Sequence, residues 1–231
     1  MRNDRYIALP AFYAALAPVL FSIVFFGILP SQGLDLEQFG DPEHVLTVFY
    51  ENSLTLRLIG LNNILLMFCA GIVAAVLPYR LTKTPSEALK IAGLIATMGW
   101  LIYLIGELFD LTAYINLPAM AVMDKETATQ GFIVLQHAGR FTHCLAYGVI
   151  GVGITILAMN MTKAMGWSTG LKIAGLCCGL VNIIIFLVEY FYTSFSGDAG
   201  TGEIFNALLA LNTLLLAVWH GWIGVTLWRN S

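Results

Sequence analysis

The feature that most constrains this chain is its hydropathy pattern. Six apolar stretches cover Tyr6–Leu29, Ser53–Leu77, Ala88–Tyr114, Gly131–Met159, Leu171–Phe195 and Ile204–Trp228. A hydrocarbon core about 30 Å thick needs roughly 20 mostly apolar residues per helix, so each stretch is long enough to cross it. Backbone facing lipid must satisfy its own hydrogen bonds, which leaves helices or a closed barrel. The alternation expected of barrel strands is absent. The pattern therefore predicts an all-α fold, a polytopic membrane bundle of six transmembrane helices forming one domain over residues 1–231. Breakers separate the stretches: Pro30 to Gly40, Pro78 with Pro85, Pro118, Gly166 with Gly170, and Gly197 to Gly202.

Composition agrees. Charged residues make up 11% of the chain and hydrophobic ones 58%, with a mean hydropathy of +0.81. A soluble domain carries roughly 25% charged residues. This excludes a disordered chain, a water-soluble enzyme and a nucleic-acid partner. Cys69, Cys144, Cys177 and Cys178 all fall in apolar runs without CxxC spacing, and read as small buried hydrophobes rather than disulfides or a zinc site. Arg2 and Arg5 ahead of the first run imitate a signal peptide, but the run is too long and lacks a small-x-small cleavage site.

Direction follows from Lys and Arg placement. Arg2, Arg5, Arg80, Lys83, Lys90, Lys163, Lys172 and Arg229 fall on one side, and Lys125 alone on the other. Asp35, Glu37, Asp41, Glu43, Glu51, Asp124, Glu126, Asp198 and Glu203 occupy the opposite segments. Both termini are expected in the cytoplasm, with an acidic outer face. The outer loop 31–52 is the longest connection, and Asp41-Pro42-Glu43 ahead of His44–Tyr50 predicts a short helix in it.

A parallel internal repeat is expected from two matching openings. Leu89-Lys90-Ile91-Ala92-Gly93-Leu94 recurs as Leu171-Lys172-Ile173-Ala174-Gly175-Leu176, an offset of 171 − 89 = 82. The same offset carries Glu107 onto Glu189, and Arg57 matches Arg140 at 83. A step of two helices keeps both copies in one orientation, unlike an inverted repeat.

Ionisable residues inside a span cost several kcal/mol and need partners. Arg57, Arg140, Glu107, Asp110 and Glu189 all fall in the outer halves of their stretches. Helical phase places Tyr103, Glu107, Asp110 and Tyr114 on one face, and His137, Arg140 and Cys144 on another. Asn182, Phe186, Glu189 and Thr193 make a third, and Asn206, Thr213 and His220 a fourth. Four polar stripes predict an interior cavity, to which Asn62 and Asn63 add polar groups. Arg140 is too deep to snorkel easily, so its expected partner is Glu107 or Glu189. His137 and His143 project about 120° apart on a helix and cannot share an ion. His220 does not match their depth, which argues against a haem held by facing histidines. A metal site of Glu107, Asp110, Glu189 and His137 can be drawn, but adjacent arginines repel a cation. No metal ligand, no cofactor and no catalytic residue is assigned, and HExxH, GxSxG and Walker spacings are absent.

In span number, short connections and single Arg and Glu residues such as Arg57 and Glu107, the chain resembles a bacterial family of uncharacterised six-helix integral membrane proteins with cytoplasmic ends. The resemblance implies an inner-membrane location and no particular activity. The functional expectation is an outward-facing polar cavity binding or transporting a small anionic or zwitterionic molecule. An accessory or assembly subunit of a larger membrane complex, with a purely architectural network, is the alternative. An intramembrane enzyme using a carboxylate and His137 ranks behind both. The expected partners are the lipid bilayer, a small polar ligand, and either further copies of the chain or other subunits.

Overall fold

The computed structural model describes residues 5–35, 38, 41–82, 84–161, 167–193 and 203–229, excepting the side chains of 192–193 and 203–206. Among them the chain forms seven helices and no strand. Six are long and apolar enough to cross a membrane. Span one is Arg5–Ser31, span two Ser53–Leu81, span three Glu87–Ala121 and span four Lys125–Met159. Span five runs over Thr169–Val188 and continues through a π-helical turn at Glu189–Thr193. Span six is Glu203–Arg229. The breakers at Gly166 and Gly197–Gly202, and the charges Arg2, Glu37, Lys83, Lys163 and Asp198, lie outside the described residues.

Each span packs on the next in sequence, and span six closes on span one, so the bundle is a ring. Small residues allow the close approaches. A Cβ on Gly153 of span four would fall 2.7 Å from the Ala96 Cα of span three, and one on Gly151 2.9 Å from the Ile183 backbone nitrogen of span five. Span one turns Ala8, Ala11, Ala14 and Ala17 inward, all fully buried. Without a hydrophobic drive between helices in lipid, such contact supplies packing energy. The outward faces are apolar: Leu54, Leu58, Leu61, Leu65, Phe68 and Ile72 form one exposed stripe along span two. A soluble protein rarely exposes so long an apolar face. The chain is an integral membrane protein in contact with lipid.

Two helices run further than their apolar stretches. Span three continues to Ala121 instead of stopping at Tyr114, and span four starts at Lys125 instead of Gly131. Pro118 does not end span three, because the turn before it, Thr112–Asn116, is π-helical. Proline clashes with the carbonyl four residues back, here Tyr114, and a widened turn relieves that clash. Pro30 follows the π-helical turn Val24–Ile28 of span one in the same way. Asp124 then starts span four: its carboxylate accepts the Thr127 backbone N–H at 3.1 Å and the Thr127 hydroxyl at 2.7 Å. The hydroxyl bond first, then the backbone bond, hold its carboxyl below the usual range.

The expected short helix forms over Pro42–Glu51, N-capped by Asp41. It lays Val45, Leu46, Val48 and Phe49 inward, and Phe49 meets Tyr114 edge-on with ring centroids 5.0 Å apart. With Leu29, Ala113 and Phe132 these residues make a second apolar cluster over one end of the bundle. Lys125 Nζ bonds Glu43 Oε2 at 2.6 Å and ties the short helix to span four. This end also exposes Asp41, Glu51, Asp124 and Glu126. It is the acidic end. At the other, basic end, Ser86 and Ser168 cap spans three and five by accepting the N–H groups of Leu89 and Leu171.

Candidate functional site

Span four has two neighbours and therefore two buried faces. Gly139, His143, Ile150 and Gly153 meet span three, whereas Arg140, Cys144, Gly148 and Gly151 meet span five. Each face carries its own polar cluster.

Against span three, Glu107, Asp110 and His143 each bring a donor atom within 4.8 Å of the others. His143 Nδ1 lies 3.6 Å from Asp110 Oδ2. That is beyond hydrogen-bond length. Asn63 of span two donates to Glu107 Oε1 at 3.0 Å. Tyr103 stacks on the His143 ring with centroids 4.3 Å apart, and its hydroxyl pairs with that of Tyr147 at 3.1 Å. Two glycines make the room. A Cβ on Gly106 would fall 2.6 Å from His143 Nε2, and one on Gly139 would overlap the Asp110 carboxylate. Glu107 is 6% exposed and the His143 and Asp110 side chains 17% each. His143 stands near the middle of span four, about 27 Å from Lys125 and about 24 Å from Met159 at 1.5 Å per residue. The cluster is thus nearer the middle of its helices than the apolar stretches implied, because spans three and four extend beyond them.

Against span five, Arg140 Nε pairs with Glu189 Oε1, and the Glu189 side chain is 5% exposed. Glu189 sits where span five widens into its π-helical turn. Cys144, on the same face, reaches the Phe186 carbonyl at 3.7 Å.

Of the residues singled out in the sequence, Glu107 and Asp110 come together, as do Arg140 and Glu189. Four are placed elsewhere. Arg57 is exposed and shares the lipid-facing stripe with Leu54, Leu58 and Leu61. It lies about 6 Å from the start of span two, a depth from which an arginine snorkels to headgroups. His137 is exposed too, since the phase that buries His143 turns His137 about 120° away. Thr213 donates to its own helix at the Leu209 carbonyl, 2.9 Å, and His220 Nδ1 lies 2.9 Å from the Leu216 carbonyl. His220 is enclosed by Trp100 and Trp219. The Asn206 side chain lies outside the described residues.

Further residues complete the picture, of which only Asn212 carried no expectation. His143 carries the imidazole of the cluster. Asn62 and Asn63 part ways, Asn62 donating to the Ala17 carbonyl of span one at 3.0 Å. Asn212, adjacent to Thr213, pairs with Asn182 at 2.7 and 3.3 Å in a buried contact of spans five and six.

Chemically, the span-three cluster is rich in lone pairs. Among the described residues Glu107 receives one hydrogen bond, from Asn63, and Asp110 none. Its three ionisable groups can accept protons or hold a cation. The arginines expected beside it are remote in one case and committed to Glu189 in the other. No protein-family model, no curated protein and no solved structure matches the chain.

Proposed function

We propose that this chain binds a small polar solute at the Glu107–Asp110–His143 cluster and carries it across the membrane. The observation behind the reading is the gathering of a buried Glu107 with a partly buried Asp110 and His143, within 4.8 Å of one another, inside a lipid-facing ring. Ionisable groups at such depth mark solute or proton pathways in membrane proteins. An anion was the expected ligand when Arg57 and Arg140 faced the cavity. With Arg57 on the lipid side and Arg140 neutralised by Glu189, the charge of the cluster favours a positively charged or zwitterionic solute. The exposed carboxylates of the acidic end add an attractive field for such a solute.

In this reading both termini are cytoplasmic, since Arg5, Arg80, Lys90, Lys172 and Arg229 gather at the basic end. The acidic end faces outward, and the membrane is a bacterial inner membrane. Spans two–three and four–five are duplicated halves. The matching serine caps of Leu89 and Leu171 support duplication, as do the packing of Gly93 on Ala74 and of Gly175 on Ala158. The halves have diverged at their charges: Glu107 pairs with Asn63, and its counterpart Glu189 with Arg140.

The test is uptake into vesicles reconstituted with the full chain, using a panel of labelled amines, amino acids and metal cations. Uptake of one class by the unaltered chain, abolished in Glu107→Gln with folding retained, is the expected result. No uptake of any class, together with co-purification of stoichiometric partner chains in mild detergent, favours the architectural subunit instead.

A further inference from the structure

We infer that the ligand of the Glu107–Asp110–His143 cluster is a divalent first-row metal cation. The inference rests on the reading that this cluster binds a solute, and it names the solute's class.

The first argument is charge. Two ionised carboxylates in one buried site repel each other strongly, and the described donor set relieves them with a single amide from Asn63. A divalent ion brings Glu⁻, Asp⁻ and neutral imidazole to zero net charge. A monovalent cation leaves the site negative in a low-dielectric medium.

The second argument is the direction of the imidazole. Nδ1 faces the Asp110 carboxylate at 3.6 Å, too far for an N–H···O bond. Two donors each about 2.1 Å from one ion lie about 3.4 Å apart at a tetrahedral angle, close to this spacing. The other ring nitrogen, Nε2, is buried beside Gly106 without a hydrogen-bond partner. A proton held on Nε2 leaves the Nδ1 lone pair facing the Asp110 carboxylate. The arrangement is three acceptors within 4.8 Å of one another.

Donor identity narrows the ion. One imidazole and two carboxylates suit zinc, manganese or ferrous iron, and the absence of thiolate disfavours softer ions. Cys144, the thiol one residue on, is turned to span five and the Phe186 carbonyl. Magnesium and calcium prefer all-oxygen sites. The cation-repelling objection is met by the ion pair of Arg140 with Glu189, which neutralises the guanidinium one turn from His143.

The test uses the full chain in mild detergent, stripped with a chelator and titrated with Co²⁺ while its visible absorption is followed. About one Co²⁺ per chain is expected, displaced by Zn²⁺. Glu107→Gln, Asp110→Asn and His143→Gln should each weaken binding tenfold or more, whereas the exposed His137→Gln should not. Should those variants misfold, pulsed electron paramagnetic resonance of Mn²⁺ on the unaltered chain serves instead, and one coupled imidazole nitrogen is expected. Absence of stoichiometric binding overturns the inference, as does binding lost with His137 but kept without His143, or Mn²⁺ without a coupled nitrogen. Glu107-dependent vesicle uptake of an organic amine with no Co²⁺ binding leaves the transport reading standing and removes the metal. Co²⁺ binding without vesicle uptake keeps the metal and removes transport.

Discussion

Replacing Arg140 by alanine strands a carboxylate. Glu189 is 5% exposed, its Oε1 is held by Arg140, and its Oε2 has no hydrogen-bond partner among the described residues. Arg140 is 28% exposed, so the pair is only partly buried, but the member left behind is the buried one; stranding such a charge costs about 3–5 kcal/mol. At roughly 2–4 °C per kcal/mol for a chain of this length, Tm should fall by about 6–20 °C. Thermal scanning of the solubilised chain measures it. Arg140→Lys should recover only part of the loss, since an ammonium lacks the planar fork of a guanidinium. The double change Arg140→Leu with Glu189→Leu should recover most of it, because apolar replacement of a whole buried pair is often neutral. The reasoning fails if Arg140→Ala costs under about 1 kcal/mol, or if the double change costs as much as the two singles combined.

Other expectations follow from packing, capping and charge. Gly153→Ala should destabilise by about 1–3 kcal/mol, since its Cβ meets the Ala96 backbone, while Gly27→Ala, with nothing within 4 Å, should stay within about 0.5 kcal/mol by the same thermal scan. The Asp124 cap stabilises span four while ionised. Its pKa is lowered in the folded chain, so that stability is present at neutral pH and lost as pH falls through the folded value; helicity of Asp124→Ala should then be insensitive to this titration. In a cysteine-free background, a membrane-impermeant maleimide should label Met123→Cys from outside intact cells and Thr84→Cys only after permeabilisation. The reverse pattern would invert the topology.

The six spans were legible because a hydrocarbon core demands long apolar runs, and such runs survive any packing detail. Their ends at Tyr114 and Gly131 were not, since Pro118 read as a breaker and Asp124 and Glu126 as part of an outer segment. Only the π-helical turn at Thr112–Asn116 and the Asp124 cap show why the helix passes one and begins before the other. Glu107 and Asp110 could be placed on one face by their spacing. The choice of His143 over His137 could not, because it depends on which neighbour each face of span four meets. Gly106 and Gly139 were the available signal, two small residues opposite groups that need space. Asn212 escaped for a similar reason: the seven-residue period of Asn206, Thr213 and His220 passes one position beside it, on a stripe whose Thr213 bonds its own backbone.

The most direct measurement for the central claim is an experimental density map of the full chain prepared with Zn²⁺, with anomalous signal recorded at the zinc edge. A peak about 2.0–2.2 Å from Glu107, Asp110 and His143 Nδ1 is the predicted result. A map with His143 turned to lipid, or with zinc held elsewhere and the two carboxylates apart, would contradict it.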